Sequence, residues 1–151
     1  MADDLAEWFA HECAIRDSYA RRLADFRPQE RLIRTELTFP EVGLRADMKT
    51  VDTHNVLRVW EFKIQADYNG LGQALTYLAM ERKSSPGRQV RAVLAAFKFA
   101  DSIVEANEIL NLGIEMIKLP PMLRRAGIVP SQIVDTDNIP FIPLAVEPAE
   151  S

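Results

Sequence analysis

The sequence predicts an α/β (α+β) chain: a mixed β-sheet flanked by helices, with elements in the order αβββαβαβ. Three observations lead there. Residues 2–26 carry apolar side chains at helical spacing. Between residues 32 and 64, three segments rich in apolar alternation are separated by turn chemistry, as in antiparallel strands. From 89 to 99 a near-continuous apolar run stands between two helix-length segments, the pattern of a buried parallel strand with its crossovers.

The first helix is read from Leu5, Trp8, Phe9, Ile15, Tyr19, Leu23 and Phe26, with Asp3 or Asp4 as its cap and Pro28 marking its exit. Its polar face, including Glu7 and Glu12, reads as solvated surface. Residues 32–39 form a strand with Ile33, Thr35, Leu37 and Phe39 on one face and Arg34 and Glu36 on the other. Pro40 and Gly43 turn the chain. In residues 44–51, Leu44, Ala46 and Met48 are expected to face the core, opposite Arg45, Asp47 and Lys49. Residues 52–55 make a polar hairpin connection, and 56–64 a central strand of β-branched and aromatic residues.

A helix over 67–83 would bury Leu71, Ala74, Leu75, Leu78 and Ala79, with Gly70 and Gly72 weakening its first turn. Ser84-Ser85-Pro86-Gly87 ends it. After the apolar strand, Asp101 or Ser102 caps a helix to Leu112, Gly113 stops it, and 114–119 is a short strand. A short helix over 122–126 follows Pro120-Pro121. Residues 1–127 then make one domain, and 128–151 a Pro-interrupted C-terminal arm of the same domain.

At 151 residues the chain can bury one sizeable core, and 48% hydrophobic with 26% charged content is ordinary for a globular protein. No apolar run is long enough to cross a bilayer, so no membrane partner is expected. The acidic start leads into an amphipathic pattern rather than a signal peptide. The single cysteine, Cys13, fits a reducing cytoplasmic setting, and two distant histidines give no zinc signature. The net charge of −4 argues against a nucleic-acid binder until its distribution is considered. Residues 126–151 hold four acids and no lysine or arginine, whereas residues 45–125 hold twelve basic and nine acidic residues.

Glu61 and Lys63 are two apart in a strand, so both leave the same face, which they share with Leu57 and Val59. Trp60, Phe62 and Ile64 take the other face. Gln73 and Tyr77 are four apart on the next helix and share a side of it. Asp47 stands on the preceding strand. A Glu-x-Lys alone is commonly a cross-strand ion pair. Acid, hairpin-length gap, Glu-x-Lys on an apolar strand, then Gln-x-x-x-Tyr on the following helix is a more specific combination.

In this order the residues resemble the PD-(D/E)XK nuclease superfamily, and within it the RecB-like and Holliday-junction-resolvase-like branch, over roughly residues 33–119. Ala46 stands where the family pattern has proline. The resemblance implies a restriction-endonuclease-like fold and a Mg²⁺-dependent deoxyribonuclease, endonuclease or resolvase-like, with Mn²⁺ as a substitute. It implies that Asp47, Glu61 and the carbonyl of Phe62 hold the ion, that Lys63 orients the attacking water, and that Gln73 and Tyr77 line the cleft. Glu36 is either a further site residue or a solvated strand acid. The resemblance also allows a first-helix glutamate to reach the cleft. Lys49, Arg82, Lys83, Arg88 and Arg91 are either phosphate contacts to DNA or a solvated charged face. Related nucleases that cut both strands often use two subunits, so a homodimer is expected. The apolar arm, with Ile133, Ile139, Phe141 and Leu144, packs either on a partner or back on its own domain. The alternative is a catalytically inactive nuclease-fold module that binds a partner protein or nucleic acid.

Overall fold

A computed structural model describes residues 2–39 and 43–124. Helix α1 (Ala2–Arg21) leads through a one-turn helix, α2 (Leu23–Phe26), into strands β1 (Glu30–Phe39), β2 (Leu44–Asp52) and β3 (Leu57–Ala66). Helix α3 (Tyr68–Ser84), strand β4 (Val90–Phe99), helix α4 (Asp101–Ile109), strand β5 (Glu115–Lys118) and a 3₁₀ turn (Pro121–Leu123) complete it. The sheet has five strands in the order β1-β2-β3-β4-β5. The first three run antiparallel to one another, and β3, β4 and β5 run parallel. The mixed sheet flanked by helices is the architecture that the sequence patterning predicts. The arm at 128–151, the end of the helix expected over 122–126, and Pro40 lie outside the described residues.

The sheet has an apolar layer on each face. Trp60, Phe62, Ile64, Val93, Ala95 and Phe97 meet Ile15, Tyr19, Leu23 and Phe26 from α1 and α2. Leu57, Val59, Ala92, Leu94 and Ala96 meet Leu71, Ala74, Tyr77 and Leu78 of α3 and Ile103 of α4. Two crossover helices on one side and the N-terminal helices on the other leave the central strands almost wholly dry.

Several local expectations change. The first helix breaks at Arg22, whose φ of −111° and ψ of 23° leave the helical region. The break folds Phe26 back on Tyr19, ring centroids 4.8 Å apart, whereas seven residues of straight helix would separate them by about 10 Å along the axis. In β1 the register slips between Leu32 and Arg34, and both Leu32 and Ile33 are exposed. Ala46 and Met48 are each fully buried but in opposite layers, so the alternation expected of β2 fails around Asp47. On α3 the buried stripe runs through Gly70, Leu71, Ala74, Tyr77, Leu78 and Glu81, while Ala79 faces solvent. Asp67 caps α3 through Asn69 N–H. The N-cap of α4 is Ala100, with no side-chain cap from Asp101 or Ser102.

Candidate active site where β2 leaves β3

The pairing of β2 with β3 runs from Val51↔Leu57 to Met48↔Trp60 and stops there. Beyond it β2 stays with β1, through Leu37↔Ala46 to Phe39↔Leu44, so the hairpin peels away from β3. The separation leaves β3 backbone donors without a strand partner. A buried N–H must still be satisfied, and two carboxylates do this. Asp47 Oδ2 accepts Phe62 N–H at 2.7 Å. Glu12 Oε2, on α1, accepts Ile64 N–H at 3.0 Å. The loss of β pairing thus draws two acids to the edge of the strand that carries Glu61 and Lys63.

Glu61 is 5% exposed and lies on the α3 face of β3. Its Oε2 is 3.3 Å from Lys63 Nζ, it hydrogen-bonds Asp47, and it accepts from the Tyr77 hydroxyl. Gln73, one turn before Tyr77, hydrogen-bonds the same hydroxyl. Its Oε1 is buried with no hydrogen-bond partner among the described residues. The Tyr77 ring stacks on Phe39 at 5.8 Å, which ties the far end of the hairpin to α3. Arg16, one helical turn after Glu12 on α1, places Nη1 3.7 Å from Asp47 Oδ1.

The charges are strongly interdependent. Burial, then the neighbouring Asp47 charge, pushes the Glu61 carboxyl up to about 8. Burial also raises Asp47, opposed by the Phe62 N–H, Arg16, Lys63 and the Glu61 hydrogen bond. Burial raises Glu12 against the pull of Lys63. Burial works against the Lys63 ammonium, but Glu61, Glu12 and Asp47 outweigh it and lift its pKa. Burial raises the Tyr77 hydroxyl, so it remains a donor. Like charges this close cannot all ionise without compensation. The pair Asp47–Glu61 therefore resists losing both protons, and Lys63 stays cationic.

The other candidates lie apart. Glu36 adopts a left-handed φ of 55° and pairs with Arg45 at 3.0 Å on the surface, so it is not brought into the cluster. Lys49 Nζ is bound to the buried Glu81 at 2.8 Å. Arg82 donates to the Val90 carbonyl, Arg88 to Asn55, and Arg91 pairs with Glu115. Lys83 is exposed on the last turn of α3. Arg91 sits in register with Arg58 and Lys63 with Ala96, a separation of roughly 16 Å along the strand.

No family model and no curated protein matches this chain. Solved structures do. A repair endonuclease from Pyrococcus abyssi is 23% identical, with a TM-score of 0.57 over 70% of this chain and 47% of its own. EndoMS in apo form is 22% identical, with a TM-score of 0.61 over 73% and 46%. EndoMS in an EndoMS-dsDNA2 complex is 18% identical, with a TM-score of 0.57 over 69% and 43%. The fold is a nuclease fold. The chain spans less than half the length of these structures.

Within this nuclease fold the donors at the parting of β2 and β3 are oxygens. Among the described residues no group of three or more His, Cys, Asp or Glu side chains converges to hold a metal. Two carboxylates suit a hard ion such as Mg²⁺, which takes one or two carboxylates and keeps several waters. The sequence pattern places Asp47, Glu61, Lys63, Gln73 and Tyr77 on facing elements, and the structure brings these five together. It adds Arg16, which the sequence reading passed over, and it brings in Glu12, read there either as solvated surface or as a first-helix glutamate that reaches the cleft. The i,i+4 spacing of these two on one helix is the only local signal they carry.

Proposed function

We propose that this chain is a metal-dependent deoxyribonuclease of the PD-(D/E)XK type, RecB-like, that hydrolyses DNA phosphodiester bonds as an endonuclease or resolvase-like enzyme. The observation that carries the reading is the meeting of Asp47, Glu61 and Lys63 at a strand edge opened by the departing hairpin. The likeness in fold to repair endonucleases, one of them in complex with DNA, supports it. Asp47 and Glu61 would hold Mg²⁺ or Mn²⁺, with the Phe62 carbonyl as a third oxygen. The bound ion supplies Lewis acidity, offsetting phosphate charge and making hydroxide available near neutral pH.

The chain's own groups do the rest. Lys63, held cationic by three acids, stabilises the charge that develops on phosphate and orients the nucleophile. A proton-accepting role is disfavoured by the same three acids. Tyr77 fixes the Glu61 carboxyl through its hydroxyl. Glu12 pins β3 through Ile64 N–H and adds negative charge beside Lys63.

The test is cleavage of linear, nicked and branched DNA across a Mg²⁺ and Mn²⁺ series. Cleavage that requires the ion and falls at least about a thousandfold in Lys63→Ala and in Asp47→Ala supports the reading; unchanged cleavage in both variants overturns the site. A second reading, a silent nuclease-fold module that binds a partner, is favoured by one observation. Lys49, Arg82, Arg88 and Arg91 all spend their polar groups within the chain. Absence of both cleavage and metal-dependent thermal stabilisation would select it. We also propose a homodimer formed through the arm at 128–151.

A further inference from the structure

Arg16 is 4% exposed, an uncommon position for a group that is always charged. Its Nε and Nη2 reach Asp17 Oδ1 at 3.0 and 2.9 Å, and its Nη1 stands 3.7 Å from Asp47 Oδ1. At that burial it cannot touch a phosphate. Nor is it needed to orient Asp47, whose other oxygen is already held by Phe62 N–H at 2.7 Å. What Arg16 adds is charge, directed at the acid expected to bind the ion.

We propose that Arg16 is the standing counter-charge of this site, a positioning residue that keeps the acids assembled without metal and sets the divalent-ion concentration at which the site fills. The inference rests on the metal-dependent reading above. A guanidinium beside Asp47 repels an incoming dication, and in a poorly hydrated site that repulsion is weakly screened. Removing the charge should therefore destabilise the metal-free protein and strengthen ion binding together. A merely structural arginine would do the first without the second. Asp17 modulates the effect: its side chain is 47% exposed, and by pairing with Arg16 it partly cancels the guanidinium's field at Asp47.

The experiment is a Mn²⁺ and Mg²⁺ titration of melting temperature on the full chain, with the metal-free melting temperature recorded alongside. Arg16→Gln should lower the metal-free melting temperature and fill at a roughly three- to tenfold lower ion concentration. Arg16→Lys, which keeps the charge, should fill within about twofold of the wild type. Asp17→Asn changes a half-exposed side chain, so it does not depend on Arg16→Gln folding. It should shift the midpoint the other way, to higher ion concentration. A midpoint in Arg16→Gln equal to or above the wild type, or one unchanged or lowered in Asp17→Asn, overturns the role of Arg16 while leaving metal binding intact. A wild-type chain that neither titrates nor cleaves with either ion overturns the metal reading, and this inference with it.

Discussion

The charge state of Glu61 is bound to folding. Its carboxyl is raised from the ordinary 4.5 to about 8 by burial and by Asp47. The folded protein therefore holds a proton there that the unfolded chain releases above its own lower pKa. Its contribution to stability is full below about 4.5 and is lost as pH rises through about 8, because the folded state binds more protons in that window. Asp47, also raised, acts in the same direction. Metal-free protein should lose stability between those pH values in urea denaturation, and Glu61→Gln, which needs no proton, should flatten the slope. A slope equally steep in the variant would show that the proton resides elsewhere. Ion binding has the opposite sign: the ligand must give up its proton, so affinity should increase over the same range.

At the scale of elements, the packing of α3 on β3 sets the place of Lys63. A Cβ at Gly70 would meet Leu94 Cδ1 at 3.3 Å and Lys63 Cγ at 3.4 Å, whereas one at Gly72 would meet nothing within 4 Å. Alanine at either position gains up to about 1 kcal/mol of helix propensity. Gly70→Ala should therefore leave stability within about 1 kcal/mol of the wild type yet lower cleavage about tenfold, by displacing the Lys63 stem. Gly72→Ala should leave cleavage intact; equal activity in the two variants would remove Gly70 from the argument. The strands and helices were legible because each carries its own period: alternation on β3, a continuous apolar run on β4, and four-residue spacing on α3. Those periods set the faces that Glu61, Lys63, Gln73 and Tyr77 occupy, and the family resemblance implies that the four meet. The parting of β2 from β3 does not, since it depends on carboxylates from distant elements satisfying Phe62 and Ile64. For the same reason Arg16 looks in sequence like any polar helix face, Glu12 is set apart from that face only by the family resemblance, and Ala46 and Met48 look like neighbours on one side of a strand.

For the whole molecule, the net charge of −4 and the internal pairing of most candidate phosphate contacts leave little free cationic surface at those positions. Two subunits presenting two sites to one duplex would share the burden of binding, and self-complementary two-fold contacts are the common solution. Light scattering over a concentration series should give a mass near twice 17.1 kDa, and truncation after Gly127 should return it to one chain. A concentration-independent mass of 17.1 kDa for the intact chain would rule the dimer out. No described helix is long and apolar enough to cross a membrane. The hairpin that turns away from β3 has a last consequence. Asp47 serves two masters: it is expected to bind the ion, and it closes a gap in the hydrogen bonding of the sheet. Lys63 closes no such gap; its structural share is to offset the charge of Glu61, which it faces at 3.3 Å. Were the chemistry to fall into disuse, Lys63 and Glu61 could be lost together, while Asp47 would be kept by the fold alone. A lineage that retains the aspartate and varies the lysine would have given up cutting, not folding.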